Sequence, residues 1–131
     1  MKNYFLILLA GILVGETSFG HGGDEPGPNG GYVEMPGAFH TEVVPEKNGA
    51  YRVYLIDMEF KNPVVANSEV RLWLKTSSEK SEVICKADAN SFLCTPKDKM
   101  KSPKELLIIA KRDGAQGNEA KYVLPLKKWE K

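Results

Sequence analysis

His21 and His40 are the only imidazoles in this 131-residue chain. His40 lies in the stretch Phe39-His40-Thr41-Glu42-Val43-Val44, two residues before Glu42. On a strand, that spacing puts both side chains on one face. An imidazole beside a carboxylate is the beginning of a metal site, with Glu42 either a further ligand or the group that orients the ring. Met35 and Met58 fall on either side of His40 in sequence. Thioether sulfur is a soft ligand that prefers Cu(I). The competing expectation for both methionines is that they fill gaps in the core, and for His40 that it is a surface or hydrogen-bonded histidine.

His21 draws its interest from what precedes it. Lys2 is followed by an apolar run from Tyr4 to Val14, broken by Gly11, and then by the small-residue stretch Ser18-Phe19-Gly20. A basic start, a short apolar core and small residues at the −3 and −1 positions make a secretory signal peptide over residues 1–20. The run is short of the ~20 residues that span a bilayer, so the competing reading, an uncleaved anchor, is disfavoured. Cleavage after Gly20 makes His21 the first residue of a 111-residue mature chain, exported to a periplasmic or secreted location and not membrane-spanning. An N-terminal histidine offers its free amine and its Nδ1 to one ion, and the amine's reference pKa of about 7.7–8.0 makes its deprotonation accessible at neutral pH. With His40 as a third nitrogen, the set suits Cu(II), although another divalent metal is compatible. The expected metal ligands are therefore His21, His40, Glu42 and Met35, and the expected cofactor is a copper ion.

Charge is distributed in keeping with a cation site. The net charge is +1, but His21 to Phe60 holds seven acids against two bases, net −5, and Lys61 onward holds nine acids against fifteen bases, net +6. Both histidines belong to the acidic part. Near-neutrality and export argue against a nucleic-acid partner. Neither GxSxG, HExxH nor a P-loop is present, and no Cys–His pair stands in a recognisable nucleophile order, so the chain reads as non-enzymatic.

The elements that must carry these residues are strands. Residues 21–31, HGGDEPGPNGG, form a Gly/Pro-rich lead-in. Short apolar or alternating runs follow at 32–35, 39–44, 51–56, 70–75, 81–86, 91–95, 106–110 and 121–126, separated by turn chemistry roughly every ten residues. Leu106-Leu107-Ile108-Ile109-Ala110 is apolar throughout, as a fully buried strand is. Residues 113–118 read as loop. The pattern predicts one all-β domain over residues 32–131, an immunoglobulin-like antiparallel β-sandwich of seven or eight strands, with a small closed barrel as the alternative. Cys85 and Cys94 flank the turn Ala87-Asp88-Ala89-Asn90. A two-residue hairpin centred between Ala89 and Asn90 places them directly opposite, at a non-hydrogen-bonded pair whose Cα separation of about 4.5 Å suits a disulfide. An even cysteine count in an exported chain favours the same pairing over a redox or metal thiol site.

Taken together, His21-Gly22-Gly23, Gly27-Pro28-Asn29-Gly30-Gly31, Phe39-His40-Thr41-Glu42-Val43-Val44, Arg52-Val53-Tyr54-Leu55-Ile56-Asp57 and Asn62-Pro63-Val64-Val65 resemble small periplasmic modules of heavy-metal efflux systems, free-standing or attached to the efflux adaptor subunit. Their pattern runs Gly-Pro-His-Gly-Gly, a strand, a His or acidic strand residue, Val-Tyr-Leu and a Pro-Val turn. The resemblance covers about 45 residues and implies a periplasmic β-sandwich that handles metal, with an efflux adaptor or other envelope protein as partner. This chain departs from the pattern at Asn29, where the family often has histidine, so a ligand at that position is lost or weakened. The opening histidine also resembles copper-resistance sandwich proteins whose mature chains begin with His, although their downstream Asp-x-His pair is absent. The expected function is thus a non-catalytic copper carrier or accessory protein of metal homeostasis and efflux. The alternative is an envelope interaction module that docks on a larger transport complex without binding metal, with the Lys-rich loop Lys97-Asp98-Lys99-Met100-Lys101 as candidate contact.

Overall fold

The computed structural model describes residues 25–126. The signal-peptide reading of residues 1–20 and the proposed ligand His21 lie outside the described residues. Among the described residues the chain forms nine strands: β1 (Tyr32–Glu34), β2 (His40–Pro45), β3 (Tyr51–Ile56), β4 (Glu69–Lys75), β5 (Lys80–Asp88), β6 (Ser91–Thr95), β7 (Glu105–Arg112), β8 (Ala115–Gln116) and β9 (Ala120–Val123). Each pairing between them is antiparallel. The all-β expectation holds, and eight of the nine strands overlap the runs read from the sequence. The exception is β8, two residues inside the predicted loop 113–118, which pairs with the end of β7 across Asp113-Gly114. The last strand stops at Val123 rather than at residue 126, since Pro125 has no N–H to give to a ladder.

The two layers of the sandwich are halves of one curled sheet, ordered β1-β2-β3-β6-β5-β4-β7-β8, with β9 beside β7. Strand β5 makes the turn between them. Its first part pairs with β4, up to Leu72↔Val83, and its second part pairs with β6, from Ile84↔Thr95. Nine residues are enough to serve both neighbours in succession. Alternation along the strands sends one face inward: Val43, Val53, Leu55, Leu72, Leu74, Phe92, Leu106, Ile108 and Tyr122 meet in the shared core. Tyr122 joins the layers, its hydroxyl donating to the Thr41 carbonyl at 2.8 Å and accepting from Thr41 Oγ1 at 2.6 Å. Burial pushes this phenol well above its ordinary pKa. In the β5–β6 hairpin Asp88 pairs with Ser91, so Ala89 and Asn90 are the turn and Cys85 faces Cys94 as predicted. The two sulfurs are bonded, with Cα atoms 4.0 Å apart.

The outer face of β1-β2-β3 is not left to solvent. Val33, His40, Glu42 and Ile56 lie on that face by register and are all buried. The lead-in covers one part of it. Gly27 and Gly31 close a tight turn through Gly27 N–H to Gly31 O (2.9 Å) and Gly30 N–H to Gly27 O (2.9 Å). The turn lies so close that a Cβ on Gly27 would fall 2.5 Å from Glu42 Cδ, and one on Gly31 would overlap the Val43 carbonyl. These two positions are glycine because the strand beneath leaves no room for a side chain.

Candidate functional site

His40 opens β2 and pairs with Ile56, the last residue of β3. Its Nδ1 lies 3.0 Å from the Asp57 carbonyl oxygen. A carbonyl only accepts, so this contact requires the proton on Nδ1 and leaves the lone pair on Nε2. The residue is buried, 7% exposed. A backbone carbonyl fixing one ring nitrogen so that the other is presented to an ion is the usual arrangement behind a metal-binding histidine.

The ring's other contact is Phe60, stacked on it with centroids 4.1 Å apart and planes 18° from parallel. Phe60 stands in the connection that follows β3, at a φ of 63°, a rare conformation for a bulky residue. Asp57 holds that conformation. Its carboxylate accepts from Glu59 N–H (3.0 Å), Lys61 N–H (2.8 Å) and Asn62 Nδ2 (2.8 Å). The Lys61 bond foremost, then those from Asn62 and Glu59 and the charge of Arg112, keep this carboxyl below the ordinary aspartate range. From the end of β7, Arg112 donates to the carbonyls of Leu55 and Asn62 and ties the loop to the sheet. One residue thus does two things: the Asp57 carbonyl orients His40, and the Asp57 carboxylate shapes the loop that lays Phe60 over it.

The methionines are not core fillers. Met35 is 36% exposed and Met58 47% exposed. The β1–β2 ladder ends at Glu34↔Thr41, one residue before Met35. Met58 stands between Asp57 and Phe60, the two residues that touch the imidazole. Met35 directly follows β1, and Met58 follows β3 in the segment that holds Asp57 and Phe60.

Glu42 takes a different part. Its carboxylate is fully buried and accepts three bonds from the lead-in: Asn29 N–H (2.9 Å) and Gly31 N–H (2.8 Å) on Oε2, and Asn29 Nδ2 (2.9 Å) on Oε1. The group that orients the imidazole is Asp57, not Glu42. Asn29, which stands where the resembling modules often have histidine, is an anchor of the turn. Among the described residues no three of His, Cys, Asp and Glu come together. Sequence reading passed over Phe60 and the double role of Asp57. The available signal was an Asp at the head of a segment ending in Asn62-Pro63, which marks a side-chain-capped turn.

In comparisons with known proteins, no protein-family model, no curated protein and no solved structure matches the chain.

Proposed function

We propose that the protein is a non-catalytic metal-handling protein of the cell envelope that binds copper at His40. The observation that carries this reading is the Nδ1 bond to the Asp57 carbonyl, which leaves Nε2 as the ring's remaining donor. His21 supplies the amine and second imidazole of a Cu(II) site. Five residues stand between it and Gly27, a span of at most about 22 Å, and Gly27 already lies against Glu42 on the His40 face. Glu42 supports the site indirectly by seating the lead-in. Copper bound this way is held by few ligands near the surface, as suits a carrier that passes its ion to an efflux partner.

The test is Cu(II) titration of the chain beginning at His21, followed by EPR. The expected result is a nitrogen-rich spectrum that loses one nitrogen in His40→Ala and collapses when one extra residue precedes His21. An unchanged spectrum in His40→Ala overturns the assignment. The alternative, docking without metal, draws on the exposed Ile84 beside the half-buried Leu93 on the outer face of β5–β6. It requires capture of an envelope partner to be indifferent to chelator.

A further inference from the structure

We infer that the end of the molecule formed by the β4–β5 turn and the β6–β7 loop is a docking surface for an anionic phospholipid bilayer. Residues 75–80 and 96–104 hold six lysines, Lys75, Lys80, Lys97, Lys99, Lys101 and Lys104, against two acids, Glu79 and Asp98. All six are exposed, and the fold brings them to one end. Lys75 is the ladder partner of Lys80, and the Lys104 N–H donates to the Lys75 carbonyl at 2.8 Å. Lys97, Lys99 and Lys101 stand in the loop that ends at Lys104, where Met100 packs on the core and anchors the loop. Among the described residues none of the six has an ion-pair partner, because the neighbouring acids Glu82 and Glu105 face Arg71 and Lys121. Unneutralised like charges repel one another, a cost that an anionic surface relieves.

Two observations favour lipid over a protein partner. First, all six cations are lysines. Protein interfaces are depleted in Lys and enriched in Arg, whose planar fork suits carboxylates held in fixed positions. A bilayer presents diffuse charge that flexible ammonium groups meet without fixed geometry, and a cluster of about four to eight cations is the pattern that binds acidic headgroups. Second, the lysines border apolar side chains on the outer face. Lys75 shares that face with Trp73, two residues before it, and through Glu105 with Val123, which is 75% exposed. Arg71 and Lys80 lie over the Trp73 ring, 4.9 Å and 5.3 Å from its centroid. An indole flanked by cations, with an exposed aliphatic side chain on the same face, is a composition suited to the level of the headgroups. The surface is independent of the copper reading and lies at the other end of β3 from His40, since Tyr51 pairs with Cys94 and Ile56 with His40.

The test is co-sedimentation of the chain beginning at His21 with vesicles of phosphatidylcholine, alone or mixed with phosphatidylglycerol, at low and high salt. The expected result is binding to the mixed vesicles only, released by salt, with a blue shift of Trp73 emission in a Trp129→Phe background. Each lysine removed should weaken binding about fivefold, the factor that corresponds to about 1 kcal/mol per cation near an anionic surface. The triple variant Lys97→Ser, Lys99→Ser, Lys101→Ser should therefore lose on the order of 100-fold, while Lys111→Ser, at the far end of β7, and His40→Ala should bind like the parent. The three lysines are exposed, so the triple variant should melt like the parent, which a thermal scan verifies. No binding to the mixed vesicles, equal binding to both kinds, or binding unchanged in the triple variant overturns the inference. So does binding to soluble polyglutamate in place of vesicles, which makes the partner an acidic protein, or release by inorganic phosphate beyond that by sodium chloride of equal ionic strength, which makes the surface a discrete anion site.

Discussion

Replacing Glu42 by alanine should unfold the metal-free protein far more readily, because this carboxylate is a structural anchor before it is anything else. In Glu42→Ala the Gly31 N–H, which is buried, loses its acceptor, at about 1–3 kcal/mol. The two donors of Asn29 can turn to water, so each bond costs only its net worth, about 0.5–1.5 kcal/mol. The turn at Gly27, packed on the missing side chain, loses contacts as well. A total of about 2–6 kcal/mol is expected, and for a domain of this size each kcal/mol lowers Tm by about 4–8 °C. Glu42→Gln separates charge from shape. Its oxygen can keep both backbone donors that now meet Oε2, and the Asn29 side chain can turn its carbonyl toward the new amide. The cost should then be about 1 kcal/mol, the loss of charge assistance alone. The assay is urea and thermal unfolding in excess chelator. Unfolding of metal-free Glu42→Ala within about 0.5 kcal/mol of the parent, or a loss of stability seen only when metal is present, would refute the reasoning and return Glu42 to the ligand set.

Two further predictions concern the frame. The Tyr122 phenol is held protonated by burial, so the folded state binds a proton that the unfolded state releases above its ordinary pKa; stability should stay level up to about pH 10 and fall at higher pH by up to about 1.4 kcal/mol per unit. Tyr122→Phe should be less stable at neutral pH, since it strips Thr41 of two bonds, but show a shallower alkaline decline, measured by unfolding across pH 7–11. Reduction of the Cys85–Cys94 bridge, or Cys85→Ser with Cys94→Ser, should cost about 2.5 kcal/mol for a loop closed over a separation of 9 residues. Circular dichroism melts with and without reductant check this, and the His40 site, in the opposite part of β2, should keep its copper spectrum.

Much of the frame was legible in the sequence because short strands announce themselves by alternation and by the Gly, Pro and Asn residues between them. The disulfide followed from counting back equally from Ala89 and Asn90, since antiparallel register is fixed once the turn is. What escaped depends on three-dimensional adjacency. That β5 serves two neighbours in turn is decided by sheet curvature and not by any residue pattern. The partners of Glu42 are 11 and 13 residues away across a turn, and two of its three bonds come from backbone N–H groups, which sequence does not display. The orienting partner of His40 is likewise a backbone carbonyl. The methionines read better as core filling than as ligands, and only the folded chain shows both exposed. Thus His40 was legible as a candidate from its type and its strand, while the loop that makes it a plausible donor was not.

The most direct test of the central claim is the state of the His40 ring itself, observed by long-range proton–nitrogen correlation in the protein labelled with ¹⁵N. The expected result is the Nδ1–H tautomer of the neutral ring in the metal-free protein, set by the Asp57 carbonyl, and a large shift of Nε2 alone when Ag(I) is added. A ring protonated on Nε2, or an Nε2 resonance that does not move with the ion, would contradict it.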